Sequence, residues 1–284
     1  MPELAHIAAL WSLTDHPPGR KAWTLERKLR AIAAAGFDGA TGVLTPAHRR
    51  LADKAGLRHL VGFISSDDPG EFAAKVRSQK EGGAVQINVQ MDNHDTPPAL
   101  AAKHWVRMVR EAERAGGVVV SLEVHRDTCT ETPEKTYEIA ERYHDATGEV
   151  IVLNFDFSHF AVVKHLGTAD YVPRLLDHPD LVRRCEQSHF RPFNGHHCQV
   201  AVTHRGRLTE EVRAYLAFVE AVLRLWAKAP RNRDRTLFAC PEMGPYTGFG
   251  KGGGYNITGL PPAWPDAIVL RDEIARIWSR VRRA

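Results

Sequence analysis

The most informative candidates for catalysis or metal binding lie at the end of one apolar segment, 150–160 (VIVLNFDFSHF). Its β-branched and aromatic residues predict a strand that is buried on both faces, as in a parallel sheet. Asp156 and His159 come at the end of that strand. Because ligands bind at the carboxyl ends of parallel strands, these two residues are candidates for a metal or substrate site. The alternative is that Asp156 caps a helix and His159 packs in a loop.

Three further predicted strands end with chemically similar residues, Glu123, His189 and Glu242. Together with Asp156 they offer three carboxylates and one imidazole. This donor set suits Mn²⁺, Mg²⁺ or Co²⁺, or Zn²⁺ with expanded coordination, better than a structural zinc site built from thiolates. Carboxylates brought together without a cation would raise one another's pKa, so one divalent ion is the natural means of keeping them ionised. Of these ions, we expect Mn²⁺ to be the one that is bound.

The elements that must position these residues alternate along the whole chain. Strands are predicted over 4–11, 37–43, 57–65, 84–90, 118–123, 150–155, 184–190 and 237–240. Amphipathic helices are predicted over 24–35, 45–56, 67–79, 97–115, 133–143, 209–228 and 267–283. Eight alternating strands predict an α/β fold, a single (β/α)8 TIM barrel that covers residues 1–284 as one domain. A doubly wound open sheet is the alternative, but no glycine-rich phosphate loop follows the first strand.

Composition and charge limit the partners. The 38 Lys and Arg residues against 34 Asp and Glu residues give a net charge of +4, which predicts neither nucleic acid nor a membrane surface as a partner. The four cysteines have no C-x-x-C spacing, and no secretory signal or membrane span is evident. We therefore expect a cytoplasmic protein with reduced cysteines.

Four short motifs carry a resemblance to a known family. They are LEVHR at 122–126, DFSH at 156–159, SHFR at 188–191 and CPEMGP at 240–245. With them the chain resembles the xylose-isomerase-like sugar isomerases and epimerases, a divalent-metal-dependent (β/α)8 superfamily that also contains endonuclease IV. The resemblance implies that the metal ligands are Glu123, Asp156, His189 and Glu242.

The resemblance also implies the reaction. A proton is removed next to a carbonyl of a keto sugar or sugar derivative, through a metal-stabilised enediolate, with Glu123 and Glu242 as acid and base. Such an enzyme acts in carbohydrate metabolism, and relatives of this kind often form homodimers or homotetramers. The candidate substrate-binding residues are His159, His125, Arg126, Arg191, His197 and His6.

The chain departs from the family in the segment 190–200 (FRPFNGHHCQV), which lacks the usual Lys-Asp pair. A lyase or hydratase that eliminates from a 3-keto sugar or 3-keto glycoside therefore remains an alternative. Endonuclease IV-like DNA repair is disfavoured because no ligand follows the second or third strand. A non-enzymatic binding barrel would be favoured if no metal bound. The glycine-rich segment 244–259 is either a lid over the site or a plain connector.

Overall fold

The computed structural model describes residues 1–14, 16–18, 20–245 and 261–283. Most of the glycine-rich segment 244–259, which the sequence suggests as a lid or a connector, lies outside these residues. The described strands are β1 (Glu3–Ala9), β2 (Gly39–Gly42), β3 (His59–Ser66), β4 (Gln86–Met91), β5 (Val119–Glu123), β6 (Leu153–Asp156), β7 (Gln187–His189), β8 (Thr203–His204), β9 (Arg207–Leu208) and β10 (Thr236–Cys240).

Eight of these strands close into a parallel barrel in the order β1-β10-β7-β6-β5-β4-β3-β2. The helices are α1 (Leu25–Ala34), α2 (Pro46–Ala55), α3 (Phe72–Glu81), α4 (Pro98–Arg114), α5 (Pro133–Thr147), α6 (Phe157–Val163), α7 (Tyr171–Leu175), α8 (Pro179–Arg184), α9 (Glu210–Ala227) and α10 (Ala263–Val281). The predicted (β/α)8 barrel is confirmed. No described helix combines the length and the apolar character needed to cross a membrane.

Local signals in the sequence account for several helix ends. Thr24 precedes α1, and its side chain accepts a hydrogen bond from the backbone N–H of Arg27. Pro46 opens α2, and Gly56 ends it in a left-handed conformation with φ of 79°. These ends are the ones that the sequence predicts.

Several predicted elements differ from the structure in their bounds, among them the helix predicted over 67–79, which begins at Phe72. The first strand ends at Ala9, and Leu10–Leu13 forms a 3₁₀ helix, so Trp11 is not part of the strand. The seventh barrel strand has only three residues, because the first part of the predicted strand 184–190 closes α8. The last helix begins at Ala263, directly after a proline, rather than at residue 267.

The core has two parts, because alternate residues of a strand point to opposite sides. Ala5, Ile7 and Ala9 of β1 pack with Val61 and Cys240 in a small cluster inside the barrel. The other face of the sheet packs against the surrounding helices in a much larger apolar cluster. The inward-facing positions of each strand therefore end at the rim of the barrel, where the candidate residues lie.

Candidate metal centre

Four side chains meet at the carboxyl-terminal rim of the barrel. Glu123, Asp156 and His189 are the last residues of β5, β6 and β7, and Glu242 follows the end of β10. One ligand atom of each residue lies within 4.8 Å of the others, and all four residues are buried. The order of the barrel strands thus brings together the residues that the sequence predicts as metal ligands.

Two of the candidate ligand atoms are buried without a well-formed hydrogen bond, as expected of a site that binds a cation. His189 Nδ1 lies 2.9 Å from Glu123 Oε1 and 3.1 Å from Glu242 Oε2, but it makes no hydrogen bond of good geometry. Asp156 Oδ2 is also buried without such a bond. Buried polar atoms are normally hydrogen-bonded. Two atoms that have ion-pair contacts but no well-formed hydrogen bond, within one cluster of carboxylates and imidazole, therefore fit a divalent ion that would bind both.

Asp156 caps a helix as well. Its Oδ1 accepts a hydrogen bond of 3.0 Å from the backbone N–H of Ser158 at the start of α6. The cap uses Oδ1, whereas Oδ2 belongs to the cluster. The helix cap and the metal site, which the sequence presents as alternatives, are therefore compatible, because the cap fixes the rotamer that directs Oδ2 inward.

Arg191 lies inside the cluster rather than at its edge. Its Nη2 is 3.0 Å from Asp156 Oδ2 and also contacts Glu242 Oε2. The side chain is 1% exposed. A buried guanidinium in contact with two carboxylates acts as a fixed positive charge beside the ligands.

The electrostatics of the cluster show a shortage of positive charge. Burial raises the pKa of Asp156, and the opposing effect of Arg191 does not reverse this. Burial also disfavours ionised Glu123 and Glu242, but the neighbouring positive charges, His189 above all and also Arg191 at Glu242, hold the pKa of both carboxyls below their usual range. Burial disfavours a charged His189, yet the two glutamates hold its pKa well above the usual value. In this arrangement three carboxyls share the charges of His189 and Arg191. A divalent ion bound by a neutral His189 would replace the charge of the histidine and balance the third carboxylate.

Amide side chains from the barrel interior hold Glu123. Its Oε2 accepts hydrogen bonds from Asn88 Nδ2 at 2.7 Å and from Gln90 Nε2 at 2.9 Å. Asn154 donates in turn to Asn88 Oδ1 at 2.9 Å. Beside them, the amide of Gln187 lies 3.0 Å from His189 Nε2.

Gln90 and Gln187 are site residues that the sequence does not predict. A signal is available for Gln90 alone, because Gln86, Asn88 and Gln90 alternate with apolar residues on one short strand. In a strand buried on both faces, that pattern places polar side chains inside the barrel rather than in solvent.

Two histidines lie next to the cluster. The ring centroids of His125 and His159 are 4.4 Å apart, and His159 Nε2 lies 3.5 Å from Asp156 Oδ2. Burial, with a smaller effect of His125, holds the pKa of His159 well below its usual value, so this imidazole is neutral at neutral pH. His159 Nε2 is buried without a hydrogen-bond partner. It is therefore available to bind an oxygen of a substrate.

Two predicted substrate-binding residues lie in loops at the rim. Arg126 is exposed, and its Nη1 lies 2.9 Å from Cys198 Sγ, which joins the loop after β5 to the loop after β7. His197 is exposed, and its backbone N–H donates to Asn194 Oδ1 at 2.8 Å. Neither residue contacts the four candidate ligands in the described contacts.

His6, the remaining predicted substrate-binding residue, is not brought to the cluster. Its neighbours Ala5 and Ile7 face the barrel interior, so the side chain of His6 faces the helices. The charged groups that act on its imidazole are Asp38, Arg271 and Asp272. The apolar pattern of 4–11 locates a strand without showing which of its residues face inward, so the sequence could not show that His6 lies away from the cluster.

Solved structures of other proteins share the fold of this chain. No family model matches the chain, and no curated protein sequence matches it. A sugar phosphate isomerase/epimerase structure from Parabacteroides distasonis has 11% identity and a TM-score of 0.55, with 94% of this chain and 96% of that chain covered.

Two further structures share the fold. A protein from Rhodospirillum rubrum, provisionally described as a xylose isomerase, has 13% identity and a TM-score of 0.60, with 96% of this chain and 99% of that chain covered. A probable 3-DHS dehydratase from Bacillus anthracis has 13% identity and a TM-score of 0.56, with 96% and 98% covered. The expected likeness to xylose-isomerase-like barrels is thus confirmed for the fold.

Proposed function

We propose that this chain is a divalent-metal-dependent isomerase or epimerase of the xylose-isomerase-like superfamily that acts on a keto sugar or a related keto compound. The observation that carries the proposal is the buried cluster of three carboxylates and one imidazole at the rim of the barrel. Its composition and position match what proton abstraction next to a carbonyl requires. The shared fold of the solved structures supports the proposal.

Glu123, Asp156, His189 and Glu242 would hold the ion, and their oxygen-rich donor set favours Mn²⁺ or Mg²⁺. When bound, such an ion supplies a Lewis acid that stabilises negative charge on the substrate oxygens as a proton leaves the neighbouring carbon. The burial of all four residues excludes bulk water around them. Charges therefore interact more strongly there than at the surface.

The two glutamates differ in how many of their oxygens are engaged. Glu123 Oε1 lies beside the imidazole, and Oε2 accepts from Asn88 and Gln90. The described contacts of Glu242 to the imidazole and to Arg191 are both made by Oε2. Glu242 Oε1 is therefore the carboxylate oxygen available for proton transfer, and Glu123 serves as a fixed ligand.

A second candidate is a lyase that removes water or another leaving group from the β carbon of a keto compound. The observation that favours it is His125, whose ring lies 4.4 Å from that of His159 beside the cluster. An elimination needs a group to protonate the leaving oxygen as well as a base, and neutral His159 cannot serve as that acid. One of the solved structures with this fold is described as a probable 3-DHS dehydratase.

Proton exchange tests the proposal. The Mn²⁺-loaded protein is incubated in D₂O with a panel of keto sugars and 3-keto glycosides, and deuterium incorporation is followed by NMR and mass spectrometry. We expect deuterium to enter next to the carbonyl, and Glu242→Gln to slow this by about 100-fold or more, because a positioned base contributes roughly 100- to 10,000-fold. A product that differs from the substrate only by incorporated deuterium identifies an isomerase or epimerase, and loss of water or an aglycone identifies the lyase.

The matched control is Glu138→Gln, which changes an exposed glutamate that pairs with Arg142 on α5. It should exchange at the wild-type rate. Equal exchange by wild type and Glu242→Gln would contradict the assigned base, and no exchange with any substrate of the panel would contradict the proposed reaction.

A further inference from the structure

Gln187 lies directly below the candidate metal ligands. It is fully buried and stands two residues before His189 on β7, so both side chains point into the barrel. Its amide Nε2 lies 3.0 Å from His189 Nε2. Its amide oxygen Oε1 is buried without a hydrogen-bond partner. A buried amide with an orphaned oxygen next to an imidazole calls for a physical explanation.

The two nitrogens of His189 have different surroundings. Nδ1 faces the cluster, 2.9 Å from Glu123 Oε1, whereas Nε2 faces Gln187. An imidazole that binds a cation through Nδ1 carries its proton on Nε2, and this N–H needs an acceptor. A rotation of the amide of Gln187 by 180° exchanges its oxygen and nitrogen within the same volume. Oε1 then accepts the Nε2–H and is no longer without a partner.

We propose that Gln187 is a positioning residue that accepts the Nε2–H of His189 and thereby fixes Nδ1 as the nitrogen directed at the cation. This inference rests on the proposed function, because it requires that the cluster bind a divalent metal. Metal-binding imidazoles generally donate their second N–H to such an acceptor, and loss of the acceptor weakens metal binding.

The same interior layer makes an equivalent selection for Glu123. Asn88 and Gln90 donate to Oε2, so the other oxygen, Oε1, is the one that faces His189 Nδ1. Amide side chains on β4 and β7 therefore determine which atom of Glu123 and which atom of His189 face the cluster.

The experiment compares Gln187→Glu with Gln187→Met in the full chain. Glutamate keeps an acceptor at this position, whereas methionine has a similar volume and offers only a weak acceptor. The matched control is Gln86→Met, because Gln86 is also buried inside the barrel but donates to Ser121 Oγ at 2.5 Å, away from the ligands. The dissociation constant for Mn²⁺ is measured by calorimetry, and the folding of each variant is checked by thermal unfolding with a chelator present.

We expect Gln187→Met to bind Mn²⁺ about 10- to 100-fold more weakly than wild type. Gln187→Glu and Gln86→Met should stay within a few-fold of wild type. Wild-type affinity in Gln187→Met would overturn this inference alone. Equal losses in Gln187→Met and Gln86→Met, or a loss in folded Gln187→Glu as large as in Gln187→Met, would also overturn it. If wild type itself binds no Mn²⁺, the proposed function fails instead.

Discussion

Arg191 shows how one residue can change the chemistry of a carboxylate cluster. Its guanidinium contacts Asp156 and Glu242, and its Cζ lies 5.7 Å from the centroid of the Trp11 ring. Arginine keeps its charge under all physiological conditions. It therefore supports ionised carboxylates in a buried site without a metal, and it would offset part of their negative charge if a divalent ion bound. The sequence predicts substrate contact for this residue, whereas the structure shows contact with the candidate ligands.

His6 allows a prediction at the same scale, away from the metal centre. Burial lowers its pKa to about 4 from an ordinary value of 6.5, and Asp38 opposes this only in part. Because the folded-state pKa is depressed, protonation favours the unfolded chain. The stability contribution of neutral His6 is therefore complete above pH 6.5 and is lost as the pH falls toward 4.

We expect this histidine to reduce the free energy of unfolding by about 2 kcal/mol between pH 7.5 and pH 5. Urea unfolding of wild type and His6→Gln at both pH values measures it, because the variant lacks the titrating group. Between the two pH values, the free energy of unfolding of His6→Gln should fall by about 2 kcal/mol less than that of wild type. The same pH dependence in both proteins would show that His6 is not held neutral in the folded state.

At the scale of elements, the loop after β5 is braced close to the site. Thr130 Oγ1 donates to the backbone oxygen of Glu123 at 2.5 Å, and Thr128 Oγ1 donates to the backbone oxygen of His125 at 2.7 Å. Both threonines are buried. These bonds hold the backbone at the end of β5 and in the loop that follows. The positions of Glu123 and His125 are therefore fixed.

Close packing of β2 against β3 gives a second prediction. A Cβ atom on Gly39 would lie 2.1 Å from the backbone oxygen of His59, which is closer than any real contact. Gly39→Ala should therefore force the two strands apart and lower the free energy of unfolding by about 1–3 kcal/mol or more. Denaturant unfolding measures this change.

Gly167→Ala is the matched control for Gly39→Ala. Gly167 has an extended backbone with φ of −80°, and an added Cβ would make only an ordinary contact of 3.7 Å with Asp170. This variant should unfold within about 0.5 kcal/mol of wild type, as surface substitutions usually do. If Gly39→Ala were as stable as Gly167→Ala, the close approach of β2 and β3 would be wrong.

At the scale of the whole molecule, the alternation of apolar strands and helices is enough to predict the barrel. Once the barrel is predicted, the convergence of Glu123, Asp156, His189 and Glu242 follows, because consecutive strands end on one rim. The sequence does not reveal which face of a strand points inward when both faces are buried. For that reason the sequence does not show that His6 faces the helices.

The polar interior of the barrel is hard to predict for a related reason. The sequence around an amide such as Gln187 does not show whether its side chain faces the barrel axis, a helix or solvent. That direction follows only from the closed sheet. The connection between β6 and β7 contains three short helices, α6, α7 and α8, whose boundaries depend on tertiary packing rather than on a long periodic pattern. The chemistry of the strand ends was therefore predictable, and the residues that orient it were not.

The measurement that tests the central claim most directly is the metal content of the purified chain after equilibration with Mn²⁺ and removal of free ions. We predict one bound Mn²⁺ per chain for wild type and for the control Asp145→Asn, which changes an exposed residue of α5. Folded Asp156→Asn should retain almost none, because it loses a ligand oxygen and a negative charge inside the cluster. A wild-type chain without metal, or an Asp156→Asn variant that still holds one ion, would contradict the account.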